Sequence, residues 1–271
     1  AGVRRNVFGT HHTNARAELA VWSRYEIVEK LGAGHFGEVY RARELCSGRE
    51  VAVKQLERLE QPNEREGKEE TIGDEVSTLR SLAHPNLLRV YEVVKGTDDI
   101  CIVTELAGGG TLSSFSRQRG AVEGGVKERD QAWVPGAMQQ ITCAVVYCHR
   151  FNVLHGDLKP ENVLVHGLRP DGSPLCIVCD FGHTAICVGA RTPVAAPGDP
   201  RYVSPEVMTE EGLSPKSDIW MLGVTAYELL TGGWLPFFNQ HSMTLHASYY
   251  QLKFGDARER ILSPDGLGWR E

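Results

Sequence analysis

Three side chains with complementary chemistry lie within six positions of one another in the segment HGDLKPENVL. Asp157 supplies a carboxylate, Lys159 an ammonium group and Asn162 an amide, and Asp180 adds a second carboxylate before a Phe-Gly pair. A carboxylate can orient an acceptor hydroxyl, and an ammonium group can stabilise charge that develops on a phosphate. An amide and a carboxylate can together hold a divalent metal ion. These residue types at this spacing predict phosphoryl-transfer chemistry.

A glycine-rich segment, GAGHFGEV, begins at Gly32 and has three interpretations. It could be a dinucleotide-binding fingerprint, in which a helix should follow Gly37. It could be an ordinary glycine hairpin, or a strand-turn-strand whose backbone N–H groups approach phosphate oxygens because no Cβ intervenes. The residues after Gly37, EVYRARE, are strand-like, and the segment VAVK follows and ends at Lys54. The combination favours a phosphate-binding lid.

Lys54 lies in a short alternating segment that predicts a half-buried strand. A solvated surface lysine is the commonest alternative for any single lysine. A lysine beside the glycine segment can instead bridge two phosphates if a carboxylate orients it. The spacing of apolar residues predicts a helix over 72–82, and Glu75 on that helix is the best-placed carboxylate. Glu69 and Glu70 are nearby competitors that are more typical of solvated charge.

The elements that must position these residues fall into two unlike parts. Short strand-like runs dominate the first part and end with a buried strand over 100–106, followed by the flexible connection AGGG. Helical spacing follows, with a stripe from Met138 to Cys148 after Pro135. Residues 218–230 are apolar on nearly every side and predict a buried helix. We therefore expect an α+β protein.

Three regions follow from this change in pattern. Residues 1–24 lack periodicity and form a lead-in. Residues 25–106 should form a small lobe with a sheet and one helix, and residues 107–271 a mainly helical lobe. Because the chain begins with alanine, we also expect it to be a fragment of a longer protein.

Composition excludes several classes of function. The formal net charge of −6 provides no basic field for nucleic acid or an anionic membrane. The longest apolar runs, such as 141–148, are far shorter than the ~20 residues of a membrane span. Seven cysteines without framework spacing indicate a reducing compartment. We expect an intracellular protein, cytoplasmic by default with a nuclear location left open, and no nucleic-acid partner.

Cys176 and Cys179 form a CxxC pair that invites a metal or redox interpretation. Residues three apart on a strand point to opposite faces. A tetrahedral metal site would need two further ligands at matching spacing, and the sequence offers none. We therefore expect cysteines packed in the interior.

The ordered set of motifs resembles a eukaryotic protein kinase of the serine/threonine type, from about Tyr25 to the end of the chain. In order, the motifs are the glycine loop, VAVK, the helix glutamate, the TEL hinge, HGDLKPEN, DFG, SPE in place of the usual APE, and SDIWMLGV. The resemblance implies a bilobal fold with an antiparallel-sheet N-lobe and a mainly helical C-lobe, and ATP between the lobes. It also implies transfer of the γ-phosphoryl group to Ser or Thr hydroxyls of protein substrates. A short string, GDPRY, resembles Wee-type kinases, some of which modify tyrosine.

The resemblance also implies a role for each catalytic residue. Asp157 would be the catalytic base, and Lys159 would lie near the γ-phosphate. Lys54 would contact the α- and β-phosphates while Glu75 holds it in place.

For the cofactors, the resemblance implies Mg²⁺ on Asn162 and Asp180, and ATP contacted by residues of both lobes. The expected ATP contacts are Leu31, Gly32, Gly34, Gly37, Val39, Ala52, Lys54, Thr104, Glu105, Ala107, Leu164 and Asp180. Among them, Val39, Ala52 and Leu164 would sandwich the adenine, and the backbone at Glu105 and Ala107 would meet its edge. Thr104 is small and would leave the back of the pocket open.

One departure from the family pattern concerns regulation. Gly156 stands where most relatives carry an arginine that binds a phosphate on the activation segment. Glycine has no side-chain donor. We therefore expect activity to depend little on phosphorylation of Thr184 or Thr192. The competing interpretation is a pseudokinase or nucleotide-binding scaffold.

Two further departures lie after the DFG motif. Asp199 replaces the usual threonine; it could accept from Lys159, but it would repel Asp157 if ionised. No DPxxR pattern follows to supply an arginine for Glu206, although Arg258, Arg260 or Arg270 could substitute. We therefore expect the C-lobe to be truncated.

Overall fold

The computed structural model describes residues 21–34, 37–57, 80, 82–95, 99–120, 131–180, 185–186, 198–208, 212–239 and 244–245. These residues form two compact units. The first contains the described residues of 21–57 and 89–106, and the second contains those of 80–88 and of 107–245. The domain bounds set out above stay a prediction.

The first unit is a five-stranded antiparallel sheet with the strand order β1-β2-β3-β5-β4. Its strands are β1 Tyr25–Gly34, β2 Gly37–Glu44, β3 Glu50–Glu57, β4 Val90–Lys95 and β5 Asp99–Glu105. The alternating pattern around Lys54 therefore predicted its strand correctly. The buried strand expected over 100–106 is β5, one residue earlier at each end.

One face of this sheet carries the apolar core of the first unit. Val51 and Val53 on β3 are fully buried, and they pair with Ala42, Tyr40 and Val103 on the neighbouring strands. Because side chains alternate along a strand, the residues between these two point to the opposite face. That opposite face carries Ala52 and Lys54.

The second unit is mainly helical. Its helices are α1 Leu112–Gly120, α2 Val134–Arg150, the short α3 Pro205–Met208 and α4 Pro215–Thr231. Its short strands are β6 Val153–Leu154, β7 Val163–Leu168, β8 Pro174–Val178, β9 Ala185–Ile186, β10 Phe238–Asn239 and β11 Thr244–Leu245. They pair antiparallel as β6 with β9, β7 with β8 and β10 with β11. An antiparallel-sheet unit and a mainly helical unit confirm the α+β prediction.

Helix α2 bears out its sequence prediction. It begins at Val134 with a proline in its first turn, which suits a missing N–H at that position. Ile141, Val145 and Cys148 are buried and pack in the core of the second unit, and Met138 is partly buried against it. The apolar stripe thus fixes which face of α2 points inward.

Helix α4 shows that the expectation of an all-round buried helix was wrong in part. Met221 and Val224 are buried, but Ile219 is 52% exposed and Leu230 is 48% exposed. A charged residue is among the most completely buried: Asp218 has an exposure of 0%, as do Ser217 and Met221. An apolar run by itself therefore did not reveal which face of α4 points inward.

Several predictions lie outside the described residues. They include residues 72–79 and 81 of the expected helix, with Glu75, the activation-segment residues Thr184 and Thr192, and the candidate arginines Arg258, Arg260 and Arg270. Of that expected helix the structure describes Arg80, which is helical, and Leu82, which is not. Within the described residues, no helix is long and apolar enough to cross a membrane.

Candidate active site

The loop between β6 and β7 is anchored at its backbone by Asp218 of α4. The Asp218 carboxylate accepts from the backbone N–H of His155 at 3.0 Å and from that of Gly156 at 2.9 Å. The His149 ring nitrogen Nε2 lies 2.8 Å from the same carboxylate. Asp218 lies in the first turn of α4, where the helix dipole favours a negative charge. A fully buried acid thus fixes the backbone ahead of Asp157.

Gly156 has a backbone conformation that glycine adopts readily. Its φ is +77°, a region that costs other L-residues roughly 1–2 kcal/mol. The hydrogen bond from its N–H to Asp218 holds this conformation. Glycine therefore removes a side-chain donor and also relieves backbone strain at this position.

His155 joins the loop to the segment that precedes Asp180. Its Nδ1 accepts from the backbone N–H of Asp157 at 3.2 Å, and its Nε2 lies 3.0 Å from the carbonyl oxygen of Cys179. Because Nδ1 accepts, the proton belongs on Nε2, which donates to Cys179. A second bond, from the Cys179 N–H to the Asn162 carbonyl at 3.0 Å, ties the same two segments together. Asp180 is therefore held next to this loop through its chain neighbour.

The carboxylate of Asp157 is buried and receives three donors. Its Oδ2 accepts from Asn162 Nδ2 at 2.7 Å and lies 2.8 Å from Lys159 Nζ. Its Oδ1 accepts from the backbone N–H of Asp199 at 3.0 Å. The structure thus brings together the three chemically active residues of the HGDLKPEN segment. A carboxylate fixed in this way can orient an acceptor hydroxyl.

The donor chemistry beside Asp157 fits a magnesium ion. Asn162 uses its amide nitrogen on both the backbone oxygen and the side chain of Asp157, at 2.7 Å each, so its amide oxygen is directed away from Asp157. Asp180 supplies a carboxylate and has a φ of +62°, a conformation that Asp tolerates better than most residues. Amide and carboxylate oxygens are ligands that Mg²⁺ prefers, completed by waters and phosphates. These two residues would hold the ion.

A small residue is required where the segment beginning at Gly198 packs against the base. A Cβ on Gly198 would lie 2.7 Å from the Gly156 carbonyl oxygen and 2.8 Å from Asp157 Oδ1. Both distances are too short for a real contact, so any larger residue would push this segment away. Gly198 therefore allows the Asp199 N–H to reach Asp157.

Asp199 carries a charge that its neighbours compensate. Burial would raise the pKa of Asp199, but hydrogen bonds from Arg201 and the charges of Arg201 and Lys159 lower it below its ordinary value. Arg201 donates from Nε to both Asp199 oxygens, at 2.9 and 3.1 Å, and its Nη2 lies 2.5 Å from Oδ2. The repulsion of Asp157 expected from the sequence is thus opposed by a cation that the sequence analysis did not consider.

In the first unit, the residues expected to contact ATP share one face of the sheet. Val39 pairs with both Gly32 and Lys54, and Ala52 pairs with Thr104. Directly paired residues point to the same face, and so do residues two apart on one strand. The register therefore groups these residues opposite the apolar core, and Thr104 among them is buried.

The glycine segment is a hairpin, which excludes the dinucleotide-binding alternative. Gly34 pairs with Gly37, and the strand β2 begins at Gly37, where that alternative needs a helix. Gly37 has a φ of +124°, and a Cβ there would lie 2.0 Å from the backbone oxygen of Gln55 on β3. Leu31 lies at a register shift in β1 and is 49% exposed. Only glycine fits at the start of β2.

Three residues assigned to ATP remain: Glu105 at the end of β5, Ala107 two positions later, and Leu164 on β7. The N–H of Glu105 donates to the Arg89 carbonyl at 3.0 Å, and its own carbonyl accepts from Thr104 Oγ1 at 3.1 Å. A carbonyl has a second lone pair, which leaves it able to accept from a ligand. Ala107 is the first residue of the second unit in this part of the chain, and Leu164 lies on β7 opposite Ile177.

The CxxC cysteines are packed side chains. Cys176 is fully buried, Cys179 is 7% exposed, and both carry a thiol rather than a disulfide. Burial raises the pKa of Cys176 to about 12, which opposes thiolate chemistry. Among the described residues, no cluster of three or more His, Cys, Asp or Glu side chains could hold a metal ion.

Glu206 has a partner other than the arginine sought in the sequence. It is half-buried, and its Oε1 accepts from Ser217 Oγ at 3.2 Å. Ser217 also closes the capping box of α4 with Ser214. The start of α4 thus contributes to holding this carboxylate.

Sequence reasoning did not assign site roles to His155, Gly198, Arg201 or Asp218. Two of them left a signal in the sequence: Asp218 is an acid at the start of an apolar run, and Arg201 lies two positions from an acid of opposite charge. His155 and Gly198 became recognisable only from their contacts.

The whole sequence was also compared with known proteins. It matches the protein kinase domain family over residues 25–260. CBL-interacting protein kinase 21 of Oryza sativa subsp. japonica is 38% identical over 92% of this chain and 45% of that protein. Serine/threonine-protein kinase SRK2H of Arabidopsis thaliana is 36% identical, and serine/threonine-protein kinase SAPK9 of Oryza sativa subsp. japonica is 37% identical; each alignment covers 79% of this chain and 55% of the relative. The chain spans about half the length of the curated relatives it matches. It belongs to the protein kinase family.

Proposed function

We propose that this chain transfers the γ-phosphoryl group of ATP to serine and threonine hydroxyls of protein substrates. The observation that carries the proposal is the fixed carboxylate of Asp157, which has Lys159 and Asn162 on one oxygen and a backbone N–H on the other. The relatives named as serine/threonine kinases support the same acceptor class.

In this mechanism Asp157 orients the acceptor hydroxyl and takes its proton as the hydroxyl oxygen bonds to the γ-phosphorus of ATP. The bond from that phosphorus to the bridging oxygen breaks, and ADP leaves with that oxygen. The carboxylate is held by three donors, so little reorganisation is needed when the hydroxyl arrives. Lys159 contacts the Oδ2 atom of the base and offers positive charge near the transferred group. Its side chain is 17% exposed, so water screens this charge only in part.

ATP and Mg²⁺ are the cofactors of this proposal. Mg²⁺ bound to the nucleotide neutralises charge on the β- and γ-phosphates. Asn162 and Asp180 would hold the ion through oxygen atoms. On the sheet, Lys54 would contact phosphate oxygens. Because Gly37 lies too close to β3 for a Cβ, this end of the hairpin has no side chain at that position.

A tyrosine-modifying activity is the second candidate, because Asp199 and Arg201 belong to the GDPRY string. A pseudokinase that binds ATP without transfer is the third. The hydrogen-bonded arrangement at Asp157 disfavours it, since a scaffold has no need of a positioned base.

We further propose that the protein acts inside the cell, in the cytoplasm with a nuclear location left open. The six described cysteines carry thiols rather than disulfides, which suits a reducing compartment. The net charge of −6 supports protein substrates over nucleic acid.

The proposal is tested by transfer of labelled phosphate from ATP to a generic protein acceptor, with wild type compared with Asp157→Asn and Asp180→Ala. We expect Asp157→Asn to lose about 10²–10⁴-fold in kcat, the usual effect of a positioned proton acceptor. Asp180→Ala should require more Mg²⁺ for the same rate. A melting temperature within a few degrees of wild type shows that each variant is folded. Equal rates for wild type and Asp157→Asn would contradict the proposal.

A further inference from the structure

Lys159 stands between two carboxylates. Its Nζ lies 2.8 Å from Asp157 Oδ2 and 3.9 Å from Asp199 Oδ2. Both acids are largely buried, with side-chain exposures of 6% and 15%, so charge interactions among these groups are stronger than at an open surface. An unopposed Asp199 would therefore compete with Asp157 for the single ammonium group.

Arg201 forms an ion pair with Asp199, and this pairing opposes the competition for Lys159. Its guanidinium contacts both Asp199 oxygens through three atom pairs between 2.5 and 3.1 Å. Such forked contacts between arginine and a carboxylate are stronger than neutral hydrogen bonds. Two cations, Lys159 and Arg201, thus face two anions, Asp157 and Asp199, with each cation nearest to a different acid.

We propose that Asp199 and Arg201 are a positioning pair, in which Arg201 holds the Asp199 carboxylate and thereby leaves Lys159 on the base Asp157. The inference rests on the proposed phosphoryl-transfer function and names two further residues whose charge balance affects its rate. Neither residue touches the reacting atoms. Arg201 acts through Asp199, and Asp199 acts through Lys159.

A purely local role is the alternative. The Asp199 side chain also accepts from the backbone N–H of Arg201 at 3.1 Å, and its carbonyl accepts from the N–H groups of Tyr202 and Val203. This is a turn that an aspartate stabilises without any effect on Lys159. An asparagine at position 199 would keep this turn, because its amide oxygen can accept the same hydrogen bond.

A double-mutant cycle separates the two roles. We expect Arg201→Gln to lower kcat about tenfold or more, because it exposes Lys159 to an uncompensated carboxylate, while KM for ATP changes by less than about twofold. Asp199→Asn alone should lower kcat less than Arg201→Gln does, because it removes the competing charge and keeps the backbone N–H on Asp157. Adding Asp199→Asn to Arg201→Gln should restore kcat to about the level of Asp199→Asn alone. A local role predicts that the double variant is as slow as Arg201→Gln or slower, and that result overturns the proposal.

The chain offers a matched control in Arg49→Gln. Arg49 pairs with Glu44 at 3.1 Å with exposures of 45% and 19%, close to the 37% and 15% of the Arg201–Asp199 pair. Arg49 also lies over an aromatic ring, that of Tyr91, as Arg201 lies over Tyr202. Removing this pair should leave kcat within about twofold of wild type. A loss equal to that of Arg201→Gln would show that loss of any such pair slows the enzyme, and would overturn the proposal.

Crystal structures of the same variants test the positioning pair without an activity assay. In Arg201→Gln we expect Lys159 Nζ to lie closer to Asp199 than to Asp157, the reverse of the wild-type order. In the double variant it should return to Asp157. If Lys159 Nζ stays closer to Asp157 than to Asp199 in Arg201→Gln, the proposal is refuted, whether or not the enzyme is active. If the wild type transfers no phosphate, the proposed function fails, whereas these distances still decide on the pair.

Discussion

Replacement of Asp218 by alanine should both destabilise the protein and slow catalysis. The carboxylate is fully buried and is the acceptor for the backbone N–H groups of His155 and Gly156. Each buried donor left without an acceptor costs about 1–3 kcal/mol, so alanine should lower the free energy of unfolding by about 2–6 kcal/mol. Asparagine keeps one acceptor oxygen and should lose about half as much. Since these two N–H groups precede Asp157, the base should also lose its fixed position, and kcat should fall about tenfold or more.

The assays are urea unfolding at neutral pH and phosphoryl transfer under saturating ATP. A suitable control is Asp171→Ala, since Asp171 also accepts two hydrogen bonds, both from Ser173, but lies in an exposed turn. We expect that control to change stability much less than either Asp218 variant, and to leave kcat unchanged. The reasoning is refuted if Asp218→Ala unfolds at the same urea concentration as Asp171→Ala.

Three further predictions concern packing, protonation and thiol access. Gly37→Ala should cost about 2 kcal/mol or more of unfolding free energy, because its Cβ would overlap the backbone of β3. Gly32→Ala has open space around it and should cost nothing. Equal urea midpoints for the two variants would contradict this prediction. Burial raises the pKa of Glu228 from 4.5 to about 7 against an opposing hydrogen bond, so its contribution to stability is complete below pH 4.5 and is lost as pH rises through 7. Wild type should therefore lose about 3 kcal/mol relative to Glu228→Gln over that window in pH-dependent unfolding, and a difference independent of pH would contradict the assignment. The exposed thiol of Cys143 should react with a maleimide in the native protein while buried Cys176 reacts only after unfolding, and equal labelling rates by mass spectrometry would exclude the packed arrangement.

The residues of the HGDLKPEN segment could be predicted because their chemistry depends on residue type and close spacing. Asp157, Lys159 and Asn162 lie within six positions, and short-range chain geometry keeps them together. The hairpin of β1 and β2 was predictable for a similar reason, since a strand-like pattern follows Gly37 directly. The α+β class followed from a change of apolar period along the chain.

Contacts between distant segments were not predictable in this way. Asp218 lies 62 positions from Gly156 in sequence, and an apolar pattern gives no reason for an acid to be fully buried in α4. The charge conflict of Asp199 with Asp157 was predictable from the sequence, but its compensation by Arg201 was not, because side-chain direction in a turn depends on backbone geometry. Lys54 and the residues on its face were grouped only by strand register.

The central claim is that the fixed carboxylate of Asp157 promotes transfer to aliphatic hydroxyls of proteins. The most direct measurement presents wild type with ATP, Mg²⁺ and a peptide mixture in which each member has a single Ser, Thr or Tyr acceptor, and identifies the labelled amino acid after hydrolysis. We predict phosphoserine and phosphothreonine, both lost in Asp157→Asn. Phosphotyrosine alone, or label that persists in Asp157→Asn, would contradict the claim.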